Sequence, residues 1–137
     1  MLLVDTGVNS SHLFWRFNLI DLKKIKRFAQ EIHDKNNDGH GFDHIERVVA
    51  LAQKILLTEP SANQELVLAT CYLHDTYDEK LTDDVPKQKA KVAQFLNELK
   101  IDKKLIDELF MIIDNMSFSS NLIERKTLSL NGQIVQD

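Results

Sequence analysis

The stretch 64–75, QELVLATCYLHD, constrains the fold more than any other part of the chain. From Leu66 to Leu73 it is apolar nearly all the way round a helix, and a helix without a polar face must be covered on every side. The stretch therefore predicts a central helix enclosed by others. It ends on His74 and Asp75. An imidazole and a carboxylate leaving a buried segment side by side need partners, because an unpaired buried charge costs several kcal/mol. Either His74 is a hydrogen-bonded core histidine and Asp75 opens a solvated loop, or one cation satisfies both.

The flanking sequence supplies the covering helices. Asp21 can cap an amphipathic helix over DLKKIKRFAQEIHDK, in which Leu22, Ile25, Phe28, Ala29 and Ile32 recur at three- and four-residue spacings. The turn formers of NNDGHGFD end it, and Asp43 is placed to cap a second helix over about 44–57. Ile45, Val48, Val49, Leu51, Ala52, Ile55 and Leu56 give that helix a wide apolar face. Further helices are predicted at about 87–99 and 102–115. The later sequence is less regular, and Asn131-Gly132 is a turn signal between two short stretches that can pair as a C-terminal hairpin. Residues 1–20 read as an arm that docks Phe14, Trp15 and Phe17. The expectation is one all-α domain over 21–137.

A chain of 137 residues is long enough for one core. With 43% hydrophobic and 28% charged residues it has the apolar fraction that disordered chains lack. The net charge of −4 offers no positive field for polynucleotide or anionic membrane, so neither partner is expected. No apolar run approaches the roughly 18 residues that span a bilayer, and the first residues lack the pattern of an export signal. The single Cys71 excludes an internal disulfide and fits a buried thiol in a reducing cytosol. A cytoplasmic location is the expectation.

His44 sharpens the reading of His74 and Asp75. It opens a helix whose apolar face must pack on the same core, so two helix ends can bring two imidazoles and a carboxylate to one point. Such a nitrogen-rich set suits Mn²⁺, Fe²⁺, Co²⁺, Ni²⁺ or Zn²⁺ better than Ca²⁺, which prefers oxygen alone.

HGFDHIERVVALA, followed about thirty residues later by LATCYLHDTYDEK, resembles the first two elements of the HD superfamily of metal-dependent phosphohydrolases. The signature of that superfamily is a His, then a His-Asp pair, then a distant Asp. The resemblance is strongest to its small bacterial YpgQ-like group and covers about 22–137. It implies an HD-type helical bundle that hydrolyses nucleoside triphosphates and related phosphate compounds with a divalent ion, typically manganese. Carried over, the metal ligands are His44, His74 and Asp75, and the fourth is either Asp137 or an Asp just beyond it. The group's members continue past this point, so the likeness implies a chain cut short at its C-terminus. An apolar face left uncovered there favours self-association, a homodimer in the simplest case.

A bound ion of this kind withdraws charge from a phosphate oxygen and makes hydroxide available near neutral pH. Asp78, with Glu79 as second choice, is the candidate base, the alternative being an acidic solvated loop. His40, Arg47 and Lys80 are candidates for neutralising the substrate phosphates, Arg47 through two parallel hydrogen bonds. Against that, Arg47 can serve in a structural ion pair and His40 can be solvated. Lys87, Lys89 and Lys91 read as the solvated face of a helix, and His12 and His33 as core or surface residues. Ser117, Ser119 and Ser120 can offer hydroxyls to a phosphate pocket but lie in no nucleophile elbow. The favoured activity is nucleoside triphosphate pyrophosphohydrolysis. Nucleoside monophosphatase, cyclic-phosphate phosphodiesterase and a non-catalytic metal- or nucleotide-binding module are the alternatives.

Overall fold

The computed structural model describes residues 20–36, 42–116 and 130–136. Six helices lie in these segments: α1 (Leu22–Asn36), α2 (Asp43–Leu56), α3 (Gln64–Leu73), α4 (Val85–Glu98), α5 (Lys103–Met116) and α6 (Leu130–Gln136). No strand occurs among the described residues, and the all-α expectation holds.

The apolar girth of α3 has the predicted result. Leu66, Val67, Ala69, Cys71 and Leu73 are completely buried, and α3 packs against α1, α2, α5 and α6. Asn63 starts it, its side chain accepting a hydrogen bond from the Leu66 amide at 3.1 Å. Asp21 does the same for α1 through the Lys24 amide, as expected. Ile25 and Ala29 of α1 are fully buried, and Phe28 stacks on Phe95 of α4 with ring centroids 4.0 Å apart. His33 is a core residue, packed edge-on against Phe42.

Three details of the sequence reading are corrected. Phe42, not Asp43, is the capping position of α2, and it makes no side-chain cap bond. The Phe42 ring is buried between His33 and Tyr72, so packing fixes where the helix begins. Asp43 becomes the first helical residue, where its charge complements the helix dipole. The apolar face of α2 is also narrower than read: Ile45, Val49, Ala52 and Leu56 are buried, but Leu51 is 54% exposed. Six residues on from Ile45, Leu51 sits about 240° round the helix, on its outer side.

The third correction concerns the end of the chain. Residues 130–136 form α6 rather than half of a hairpin. A helix lets Ile134 and Val135 bury together, and α6 packs against α2, α3 and α5. Asn131 turns its amide group to the helices instead of to a turn: its oxygen accepts from the Asn63 backbone at 2.7 Å, and its nitrogen donates to Glu108 at 3.0 Å. The aromatic arm, His12 and Ser117, Ser119 and Ser120 lie outside the described residues.

α4 begins at Val85 because Asp84 caps it through the Lys87 amide and Pro86 fits the first turn. It packs on α5, and its Val92 and Leu96 are completely buried. No helix among the described residues is long and apolar enough to cross a membrane.

Candidate metal centre

α2 and α3 are joined by the short connection 57–63 and pack on one another. Neighbouring helices linked so closely run antiparallel, which sets the first turn of α2 beside the last turn of α3. His44 stands on the former, and His74 and Asp75 follow the latter.

The α3 side is firmly built. The His74 Nδ1 lies 2.6 Å from the Cys71 carbonyl oxygen. A carbonyl oxygen only accepts, so Nδ1 carries a proton, and in the neutral ring the lone pair is on Nε2. His74 is 12% exposed and its Nε2 lies 3.4 Å from Asp75 Oδ1. Thr76, completely buried, donates both its amide and its hydroxyl to the Leu73 carbonyl, at 3.0 and 2.7 Å. From the other wall, His44 Nε2 approaches Asp75 Oδ2 to 4.0 Å, with its side chain 54% exposed. The two imidazole centroids are 5.9 Å apart.

One ligand atom from each of His44, His74 and Asp75 lies within 4.8 Å of the other two. Donors held about 2.1 Å from a common ion sit about 3.0 to 3.4 Å apart at tetrahedral or octahedral angles. The His74–Asp75 separation already meets this. His44 must close by roughly an ångström, which side-chain rotation of an exposed histidine achieves. The donor set therefore fits a transition ion, with the tautomer of His74 fixed as ligation through Nε2 requires.

Among the described residues, no side-chain hydrogen bond or ion pair joins the other candidates to this trio. The Asp78 amide donates to the Asp75 carbonyl, but its own carboxylate accepts from the Lys80 amide at 2.9 Å. Glu79, Lys80 and Arg47 are exposed. Glu46, beside Arg47, pairs instead with Lys26 at 3.8 Å. His40 and Asp137 lie outside the described residues.

A second polar group went unnoticed in the sequence. The Tyr77 hydroxyl donates to Asp114 Oδ1 at 2.9 Å, and Lys89 Nζ meets Asp114 Oδ2 at 2.7 Å. Lys89 also lies over the rings of Tyr77 and Phe110, 5.8 and 5.3 Å from their centroids. Lys89 was expected on a solvated face with Lys87 and Lys91. Those two are exposed, whereas Lys89 is drawn onto α5 by the carboxylate and the rings. Nothing in the spacing ties residue 77 to residue 114; the one available signal was an aromatic residue two positions after the His-Asp pair. Burial, reinforced by Asp114, pushes the Tyr77 phenol well above its ordinary range. Burial likewise pushes the Cys71 thiol up to about 12.

No family model matches the sequence. The chain is similar to the uncharacterized protein YpgQ of Bacillus subtilis (strain 168), with 31% identity over 116 residues, covering 84% of this chain and 56% of that protein. It is also similar to a structural-genomics crystal structure of a Lactobacillus plantarum protein. There the TM-score is 0.76 and the identity 35%, over 84% of this chain and 52% of the other. The chain thus spans about half the length of both relatives. These likenesses support a setting in a small bacterial YpgQ-like group.

Proposed function

We propose that His44, His74 and Asp75 hold a divalent transition ion, with manganese first among the candidates, and that the chain is a phosphohydrolase of the HD superfamily acting on nucleotide phosphates. Asp137 is the proposed fourth donor. The observation that carries this reading is the convergence of two imidazole nitrogens and a carboxylate oxygen within 4.8 Å, with one imidazole already fixed in a ligating tautomer.

When bound, the ion polarises a phosphate oxygen and lowers the pKa of water beside it. The residues of the chain do the rest. His74, held by the Cys71 carbonyl, presents Nε2 in one direction. Asp75 supplies charge that offsets the cation. Arg47 and Lys80, both exposed, are the proposed contacts for substrate phosphates, with His40. Asp78 is the proposed base, and Glu79 the second choice. The favoured reaction is release of pyrophosphate from a nucleoside triphosphate, and a cytosolic setting belongs to the same proposal.

Incubation with Mn²⁺ and each nucleoside triphosphate, scored separately for pyrophosphate and orthophosphate, tests the reading. Manganese-dependent pyrophosphate release that disappears in His74→Ala and Asp75→Ala is expected. Release without metal, or unchanged in those variants, removes this site from the chemistry. A second reading, a metal-binding module without hydrolysis, is favoured by the engagement of the Asp78 carboxylate with the Lys80 amide. Stoichiometric metal without turnover of any nucleotide is its outcome.

A further inference from the structure

Asp75 is gripped from both sides in sequence. His74 before it is tied back to Cys71, and Thr76 after it is plugged into the core against Leu73. Tyr77 extends the grip beyond α3. Its ring is buried, and its hydroxyl reaches Asp114 of α5, where Lys89 of α4 completes the contact. Lys89 and Asp114 are 39% and 44% exposed. An ion pair as wet as this stabilises a fold by at most about 1 kcal/mol, so stability alone gives little reason for it. Its effect is directional, because two helices hold one phenol oxygen at a set place two residues after the carboxylate.

We propose that Tyr77, Asp114 and Lys89 form a positioning set that fixes the turn carrying Asp75, so that α4 and α5 determine how the metal centre meets its ion. This rests on the reading of His44, His74 and Asp75 as that centre. The three residues touch neither metal nor substrate; they act through the backbone of 75–77.

Tyr77→Phe keeps the buried ring and deletes only the hydroxyl, and Asp114→Asn removes the charge that Lys89 and Tyr77 share. Titration with Mn²⁺ and the visible spectrum of the Co²⁺-loaded protein read the result. Each variant is expected to bind Mn²⁺ about tenfold more weakly with an altered Co²⁺ spectrum, as the loss of a group supporting a ligand does elsewhere. The double variant is expected to be little worse than either single one, since residues that act as a unit are not additive. Leu96→Ala, which weakens the α4 core without touching the set, is expected to stay within about twofold of wild type when measured fully folded. Wild-type Mn²⁺ affinity and Co²⁺ spectrum in Tyr77→Phe, with both lost in His74→Ala, overturn the positioning role and leave the metal centre standing. A tenfold loss in Leu96→Ala also overturns it, because affinity then follows general stability. Wild-type metal binding in His74→Ala overturns the centre and the positioning set together.

Discussion

His74 and His44 face the same carboxylate from two walls that are built differently. His74 is nearly buried, has one nitrogen committed to the Cys71 carbonyl, and lies at 3.4 Å from Asp75. His44 is more than half exposed, stands at 4.0 Å, and has no hydrogen bond to its ring among the described residues. The difference follows from where the two helices lie. α3 is covered on every side, so a residue at its end inherits fixed neighbours; α2 has an outer face, and its first turn opens to solvent. A centre made this way has one prepared wall and one that adjusts. The energetic consequence is unequal: removing a preoriented ligand forfeits its full interaction, whereas an exposed ligand must first lose side-chain freedom on binding.

The largest effect is therefore expected at His74. His74→Ala should weaken Mn²⁺ binding at least about a hundredfold, about 2.7 kcal/mol, with helix content preserved in the circular dichroism spectrum. Asp75→Asn, which keeps the size of the side chain and removes its charge, should follow closely. His44→Ala should cost only about tenfold, about 1.4 kcal/mol. Equal losses at the two histidines in titration calorimetry would erase the proposed asymmetry, and a larger loss at His44 would invert it.

The contrast between the walls also marks what the sequence could reveal. The central helix was legible because apolar residues cover its whole circumference, and no other environment accepts such a helix. The meeting of His44 with His74 and Asp75 was legible for a related reason: both flank helices that share one core. What escaped was decided by contacts distant in sequence. Asn131-Gly132 is a sound turn signal locally, yet Asn131 is claimed by Asn63 and Glu108, and a helix buries Ile134 and Val135. Lys89 reads as a solvated lysine until Asp114 and Phe110, more than twenty positions later, give it partners. Asp43 lost its capping role to the burial of Phe42. Periodicity reports which face is apolar; it carries no information on which polar side chain a neighbouring helix will claim.

The smallest effect tests how tightly the prepared wall is packed. Cys71 supplies the carbonyl that orients His74, and its own thiol is completely buried and held protonated up to about 12. In the unfolded chain the thiol ionises near its ordinary value of 9.0. The folded state thus retains a proton that the unfolded state releases, and the contribution to stability is intact below pH 9 and lost as pH rises from there toward 12. At pH 9 the loss is about half a kcal/mol, and it steepens toward the one-proton limit above that. Tyr77, also raised by burial and Asp114, adds a similar decline beginning near the ordinary phenol range. Denaturant titrations across this window should show stability falling with pH, and Cys71→Ala should flatten the first part of the fall. A native thiol that reacts with an alkylating reagent at pH 8 as fast as the unfolded chain would mean that the end of α3 opens freely. His74 would then be no better oriented than His44, and the difference between the walls would vanish.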